Sequence, residues 1–119
     1  DNTLIVGDMA ELGAATDVEH KTLGQQAAKR GVKTLMSCGR YAEIVADGFI
    51  GINPTGKAVA FNQQSELLNY LRGCSLTGTV LVKGSRSAKM EQVVDAIHQQ
   101  LNDNGISKAR TEKGEHECF

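Results

Sequence analysis

The sequence of 119 residues lacks the features that mark several classes of protein. It has one proline, no tryptophan and 4% aromatic residues. Its three cysteines, Cys38, Cys74 and Cys118, are widely spaced, form no Cys-x-x-Cys pair and lie near no histidine cluster with zinc-ligand spacing. We therefore expect reduced thiols, as in a cytoplasmic protein, and neither a disulfide framework nor a metal site.

The chain also lacks an excess of either positive or negative charge. The chain has 13 basic and 14 acidic residues, for a formal net charge of -1. No block of like charge and no interleaving of basic and aromatic residues is present, so we expect neither a nucleic acid nor a membrane surface as partner. No apolar run reaches the length of a membrane span, and the amino terminus does not resemble a signal peptide. These absences predict a soluble cytoplasmic protein.

Strand and helix patterns take turns along the chain, which has the length of one domain. Short apolar runs predict four strands, at residues 4–6, 34–37, 58–61 and 79–82. A helical spacing of apolar residues follows each run. The sequence Thr16-Asp17-Val18-Glu19 has the form of a capping box and predicts the start of the first helix. The alternation predicts an α/β fold, with a parallel sheet covered by helices on both faces.

The junction at residues 81–87, Leu-Val-Lys-Gly-Ser-Arg-Ser, is the strongest candidate for a binding site. It leads from a buried strand into a helix, where unpaired N–H groups and the helix dipole favour an anion. Gly84 lets the backbone approach a ligand, Lys83 and Arg86 supply positive charge, and Ser85 and Ser87 supply hydroxyls. The alternative is that Ser87 caps the helix and the cations are merely solvated.

Ligands of open parallel sheets bind beyond the carboxyl ends of the strands. We expect three loops to meet at that edge, at residues 7–13, 38–40 and 83–87. The first carries Asp8 and Glu11 and the second carries Arg40, so charges of both signs would meet there. That combination suits a zwitterionic or phosphorylated ligand, or a surface network in which the charges neutralise one another.

His20 lies on the apolar face of the first predicted helix, where a hydrogen-bonded core histidine is more frequent than a proton carrier. The chain has no Gly-x-x-x-x-Gly-Lys-Ser/Thr phosphate loop and no Gly-x-Gly-x-x-Gly fingerprint. Nucleotide binding by those routes is therefore excluded.

Two separated motifs resemble the carboxyl-terminal domain of the Mur ligase family. They are Ile-Val-Gly-Asp-Met-Ala-Glu-Leu-Gly at residues 5–13, followed by His20 and Gly24, and Val-Leu-Val-Lys-Gly-Ser-Arg at residues 80–86, followed by Met90-Glu91. The match is closest to the branch that adds D-alanyl-D-alanine to a peptidoglycan precursor, and it covers residues 4–101.

The resemblance implies a Rossmann-like three-layer domain within an ATP-dependent ligase of three domains. It implies that Lys83, Gly84, Ser85 and Arg86 bind the dipeptide. It also implies that a second set faces the nucleotide or the domain junction; this set is Gly7, Asp8, Glu11, His20 and Arg40. ATP and magnesium would be bound mainly by the central domain, so no catalytic residue and no metal ligand is expected here.

Relative to the family, we expect residues 1–102 to form the domain without its first strand and helix, and residues 103–119 to form a charged tail. That tail is either disordered or packed as a late edge segment. An exposed sheet edge could lead to self-association. Two other functions stay open: a free-standing α/β module that binds a small anionic metabolite, and an interaction domain completed by a partner's strand.

Overall fold

The computed structural model describes residues 2–9, 13–74, 76, 78–104 and 108–113. Strands and helices alternate along these residues. In chain order they are β1 (Asn2–Val6), α1 (Thr16–Lys29), β2 (Thr34–Cys38), α2 (Ala42–Ile52), β3 (Lys57–Phe61), α3 (Gln64–Arg72), β4 (Thr79–Gly84), α4 (Glu91–Asn104) and β5 (Lys108–Lys113). Short 3-10 helices at Gly13–Ala15 and Arg86–Ala88 precede α1 and α4.

The strands form one parallel sheet in the order β3-β2-β1-β4-β5. The central strand is β1, and its last residue, Val6, pairs with Ser37 on one side and with Lys83 on the other. The chain winds outward from β1 to β3 and then crosses to the other side at β4. Open α/β sheets bind ligands at such a switch in direction, here between β1 and β4.

Helices cover both faces of the sheet, as predicted. Successive strand residues point to opposite faces, so Leu4 and Val6 join one hydrophobic cluster and Ile5 joins the other. The first cluster includes Leu23 of α1, and the second includes Leu67 of α3. The fold is therefore the predicted α/β sandwich of three layers.

Two glycines allow α1 and α2 to pack with their backbones in contact. A Cβ atom at Gly24 would collide with the carbonyl oxygen of Val45, and one at Gly48 would collide with the carbonyl oxygen of Lys21. The helices can approach so closely only because neither position carries a side chain. This packing fixes α2 closely against α1.

The capping box predicted at residues 16–19 is wrong. The N-cap of α1 is Ala15, and the hydroxyl of Thr16 donates instead to the carbonyl of Gly13 at 2.8 Å. The 3-10 turn before α1 already gives Ala15 helical backbone angles, so Thr16 lies inside the helix. A capping box forms instead at the start of α3, between Gln63 and Glu66. There, Oε1 of Glu66 accepts a hydrogen bond from the backbone N–H of Gln63 at 3.1 Å.

Beyond α4, the polar residues of β5 continue the sheet. Its backbone pairs in parallel with β4, from Lys108 opposite Thr79 to Lys113 opposite Gly84. Of the two alternatives for this region, the structure has the edge segment over residues 108–113. Cys118 lies outside the described residues. None of the helices in the described ranges is long and apolar enough to span a membrane.

Candidate functional site

The loops after β1, β2 and β4 meet at one edge of the sheet, as predicted, and the side chain of Asp8 joins the first two. Its Oδ2 atom accepts a hydrogen bond from the backbone N–H of Arg40 at 2.8 Å, and Oδ1 accepts one from Tyr41 at 3.0 Å. These N–H groups immediately precede α2, where the helix leaves donors without helical partners. The carboxylate therefore stabilises the start of α2.

The main chain of Asp8 joins the loop after β1 to the loop after β4. Its carbonyl oxygen accepts hydrogen bonds from the backbone N–H of Ser85 at 3.0 Å and from the Ser85 hydroxyl at 2.9 Å. The same hydroxyl lies 3.0 Å from that of Ser87. All three loops are thus connected through one residue.

Met90 occupies the space beside the two glycines of the site. A Cβ atom at Gly7 would lie 2.6 Å from Sδ of Met90, and one at Gly84 would lie 2.6 Å from Cγ of Met90. From the sequence, we expect Gly84 to let a ligand approach the backbone. In the structure, the group that approaches it is the Met90 side chain, which is 3% exposed.

The four residues predicted to bind the dipeptide differ in exposure. Lys83 is 0% exposed and Ser85 is 4% exposed, and Gly84 is also buried. Of the four, Arg86 alone presents an exposed side chain. A dissolved anion can therefore reach Arg86 directly, whereas Lys83 and Ser85 contribute to the core at the end of β4.

Exposed cations surround the junction of the loops. Arg40 follows β2, and Arg86 and Lys89 follow β4. The guanidinium carbon of Arg40 lies 5.6 Å from the ring centroid of Tyr41, within the range of a cation–π contact. The edge therefore carries positive charge that water can reach.

His20 is a hydrogen-bonded histidine of the core, the role that the sequence favours over that of a proton carrier. Its side chain is 1% exposed, and Nδ1 lies 2.8 Å from the carbonyl oxygen of Thr16. Because a carbonyl can only accept, Nδ1 carries the proton, and Nε2 accepts from the backbone N–H of Met9 at 3.1 Å. The ring stacks on Tyr41 with centroids 4.4 Å apart. His20 therefore holds the loop after β1 against α1 and the start of α2.

Cys38, the last residue of β2, is a buried thiol. Burial, and secondly the negative charge of Asp8, raise the pKa of this thiol to about 11. The thiol is protonated at neutral pH and is a poor nucleophile. It belongs to the core beneath the site.

Gln64 is a contributor that sequence reasoning missed. Its side-chain amide donates to the carbonyl oxygens of Ala88 and Lys89 in the loop after β4, at 3.0 and 3.1 Å. No local pattern could show a contact between residues so far apart along the chain. Glu11, which was predicted to face the nucleotide, lies outside the described residues.

A groove of about 470 Å³ between α3 and α4 lies apart from the three loops. Its lining includes Leu68, Arg72 and Ala96, and none of the residues predicted for the site. Within the described ranges, no three histidine, cysteine or acidic side chains come together as a metal ion would require. Because the groove contains none of the predicted residues, the junction of the loops is the candidate site.

Comparisons with known proteins agree on one kind of relative. The UDP-N-acetylmuramoyl-tripeptide–D-alanyl-D-alanine ligase of Escherichia coli strain K12 is 34% identical over 99 residues, which are 81% of this chain and 21% of that enzyme. The ligase of the same name from Buchnera aphidicola is 36% identical over 97 residues, 79% of this chain and 20% of its own length. No protein-family model matches the chain.

A crystal structure of MurF from Acinetobacter baumannii has a similar fold. It superposes with a TM-score of 0.68 at 28% sequence identity, over 82% of this chain and 22% of that one. The chain spans about a fifth of the length of the curated relatives it matches. Sequence and fold thus point to the same kind of enzyme, of which the chain matches about a fifth.

Proposed function

Because this chain is a homologue of one segment of the Mur ligases, we propose that it serves as the carboxyl-terminal domain of a UDP-N-acetylmuramoyl-tripeptide–D-alanyl-D-alanine ligase. Such an enzyme would use ATP to activate the carboxylate of the precursor as an acyl phosphate. The amine of D-alanyl-D-alanine would then attack the acyl phosphate, with release of phosphate. The product would enter peptidoglycan synthesis in the cytoplasm.

We assign recognition of the dipeptide carboxylate to the loop after β4. The observation that carries this proposal is the exposed Arg86 guanidinium on a loop that Asp8 and Ser85 hold at the switch point of the sheet. A guanidinium presents paired N–H donors that match a carboxylate. Lys83, Gly84 and Ser85, which are buried, would act by shaping this loop.

The loop after β1, with Gly7, Asp8 and Glu11, and the neighbouring Arg40 would face the nucleotide or the junction between domains. In this proposal ATP and magnesium are bound mainly by other domains. We therefore expect the chain by itself to have no ligase activity.

A titration of the ¹⁵N-labelled chain with D-alanyl-D-alanine tests the recognition step directly. We expect amide shifts at Ser85, Arg86 and the residues around Asp8, and smaller shifts with L-alanyl-L-alanine. Equal shifts with both dipeptides would instead favour a free-standing module for small anions. No shifts in a well-dispersed spectrum would contradict recognition by this chain alone.

A hybrid enzyme tests the complete reaction. The matched segment of the Escherichia coli ligase is replaced by this chain, and dipeptide-dependent phosphate release is measured. In the active hybrid, Arg86→Ala should raise KM for the dipeptide roughly 10-fold or more, since a charged hydrogen bond to the carboxylate is lost. The matched control is Arg72→Ala, an exposed arginine at the far end of α3. An unchanged KM for Arg86→Ala would refute its role.

One observation supports an interaction domain as the second candidate. Among the described residues, β3 pairs with β2 alone, so its outer edge has free backbone donors and acceptors. A second copy of the chain or another protein could add a strand there. The mass of the chain in solution tests strand addition between copies, because that addition would give a dimer and dipeptide recognition by itself would not.

A further inference from the structure

The loop after β4 is held at two points. At its start, Ser85 bonds the carbonyl oxygen of Asp8 through both its N–H and its hydroxyl. At its end, Nε2 of Gln64 donates to the carbonyl oxygens of Ala88 and Lys89, at 3.0 and 3.1 Å. A primary amide has two N–H donors, and Nε2 also lies 3.8 Å from Sδ of Met90, so three acceptors surround this amide at the end of the loop. The exposed Arg86 lies between the two anchors.

The second anchor coincides with an unusual backbone conformation. Lys89 has φ 53° and ψ 45°, and it is the only residue other than glycine with positive φ in the part of the chain that the structure describes. A side chain in the left-handed region is unfavourable and persists only where surrounding contacts hold it. Here the 3-10 helix Arg86–Ala88 must end so that α4 can begin at Glu91, and Lys89 makes the turn.

We propose that Gln64 is a positioning residue, which holds the left-handed turn at Lys89 and thereby fixes the place of the Arg86 guanidinium. The carbonyl of Lys89 also accepts from the N–H of Gln92 at 3.3 Å, so the side chain of Gln64 adds a bond to the first turn of α4. Gln64 is half-buried at the start of α3, in the layer that packs beneath this loop. Its effect on the dipeptide rests on the function proposed above.

Hydrogen exchange of the chain itself tests the positioning without any ligand. Gln64→Met keeps the length of the side chain and removes both N–H donors. We expect the amide hydrogens of Ala88 and Lys89, which donate to the carbonyls of Ser85 and Arg86, to exchange at least roughly 5- to 10-fold faster, since the loss of even one of the two hydrogen bonds implies that factor. Amides of β1 should not change. Gln99→Met, at an exposed position on α4, is the matched control, and equal exchange in the two variants would overturn the proposal.

A second variant separates this role from a general weakening of α3. Glycine adopts the left-handed conformation without the penalty that a side chain incurs. In a Lys89→Gly background, Gln64→Met should therefore accelerate exchange by less than half of the factor seen in the original chain. The same factor in both backgrounds would show that Gln64 does not act on the left-handed turn.

The hybrid enzyme tests the functional consequence. Gln64→Met should raise KM for the dipeptide several-fold and change kcat less than twofold, because Arg86 would be displaced and the chemical step untouched. A changed kcat with unchanged KM would overturn the link to binding. If the unmodified hybrid shows no dependence on the dipeptide, the proposed function fails, and the exchange measurements still decide whether Gln64 holds the loop.

Discussion

The hydroxyl of Ser85 donates a hydrogen bond of 2.9 Å to the main-chain carbonyl of Asp8, and so ties the end of β4 to the end of β1. Ser85→Ala removes this donor and leaves the half-buried carbonyl with one bond fewer. We expect a loss of about 1 kcal/mol in the free energy of unfolding, measured by urea denaturation. Ser87→Ala, at an exposed position, should change stability by less than about 0.5 kcal/mol. Equal losses in the two variants would contradict the assignment.

The tautomer of His20 follows from its two partners. Because Thr16 offers a carbonyl and Met9 offers an N–H, the neutral ring should carry its proton on Nδ1. A long-range ¹H–¹⁵N correlation spectrum of the imidazole will show which nitrogen is protonated. His20→Ala should reduce stability by roughly 2 kcal/mol, since it leaves the N–H of Met9 unpaired and removes the stacking on Tyr41. A proton on Nε2 would contradict the hydrogen bonding described here.

The buried thiol of Cys38 should make stability fall in alkaline solution. Its pKa is about 11 in the folded chain, against an ordinary value of 9.0. Between those values the unfolded chain releases the proton and the folded chain retains it, so the free energy of unfolding decreases as pH rises through that window. Cys38→Ala should show a smaller decrease over the same range.

The negative charge of Asp8 is the second cause of the raised pKa of Cys38, and it gives a separate prediction. Asp8→Asn removes the negative charge near the thiol and should lower the pKa of Cys38, which stays above its ordinary value because burial remains. The rate of alkylation against pH measures it, in a chain with Cys74 and Cys118 replaced by serine. An unchanged pKa would exclude an electrostatic effect of Asp8 on this thiol.

Substitution by alanine should have opposite effects on the free energy of unfolding at Gly24 and at Gly51. A Cβ atom at Gly24 would collide with the Val45 carbonyl on α2, and a backbone atom cannot move aside as the end of a side chain can. We expect Gly24→Ala to reduce the free energy of unfolding by roughly 3 kcal/mol or more. At Gly51, also helical, nothing lies within 4 Å of an added Cβ, and alanine should stabilise the chain by up to about 1 kcal/mol. Thermal unfolding of both variants checks the pair.

Where local patterns decide the structure, the sequence was informative. The apolar spacing that includes Leu23 and Ala27 predicted the buried face of α1, because helix period and burial are both local properties. The parallel sheet and the meeting of its loops followed from the alternation of strands and helices. The junction after β4 could be located for the same reason.

Long-range contacts account for what the sequence did not show. Lysine and serine are usually exposed, so the burial of Lys83 and Ser85 could not be inferred from their types. The contact between Gln64 and the loop at Ala88 depends on how α3 crosses the sheet. The capping box at Thr16 failed because a 3-10 turn before it left no extended residue to act as the cap. The strand β5 has a polar sequence with little periodicity.

The central place of β1 also has a consequence for how the chain acquires its structure. Both neighbours of β1 come from later in the chain, β2 from residue 34 and β4 from residue 79. Contacts between such distant segments close large loops and form slowly during folding. A ribosome must therefore release the chain beyond Ser85 before the bond to Asp8 can form, so the junction of the three loops is completed late in the synthesis of this segment.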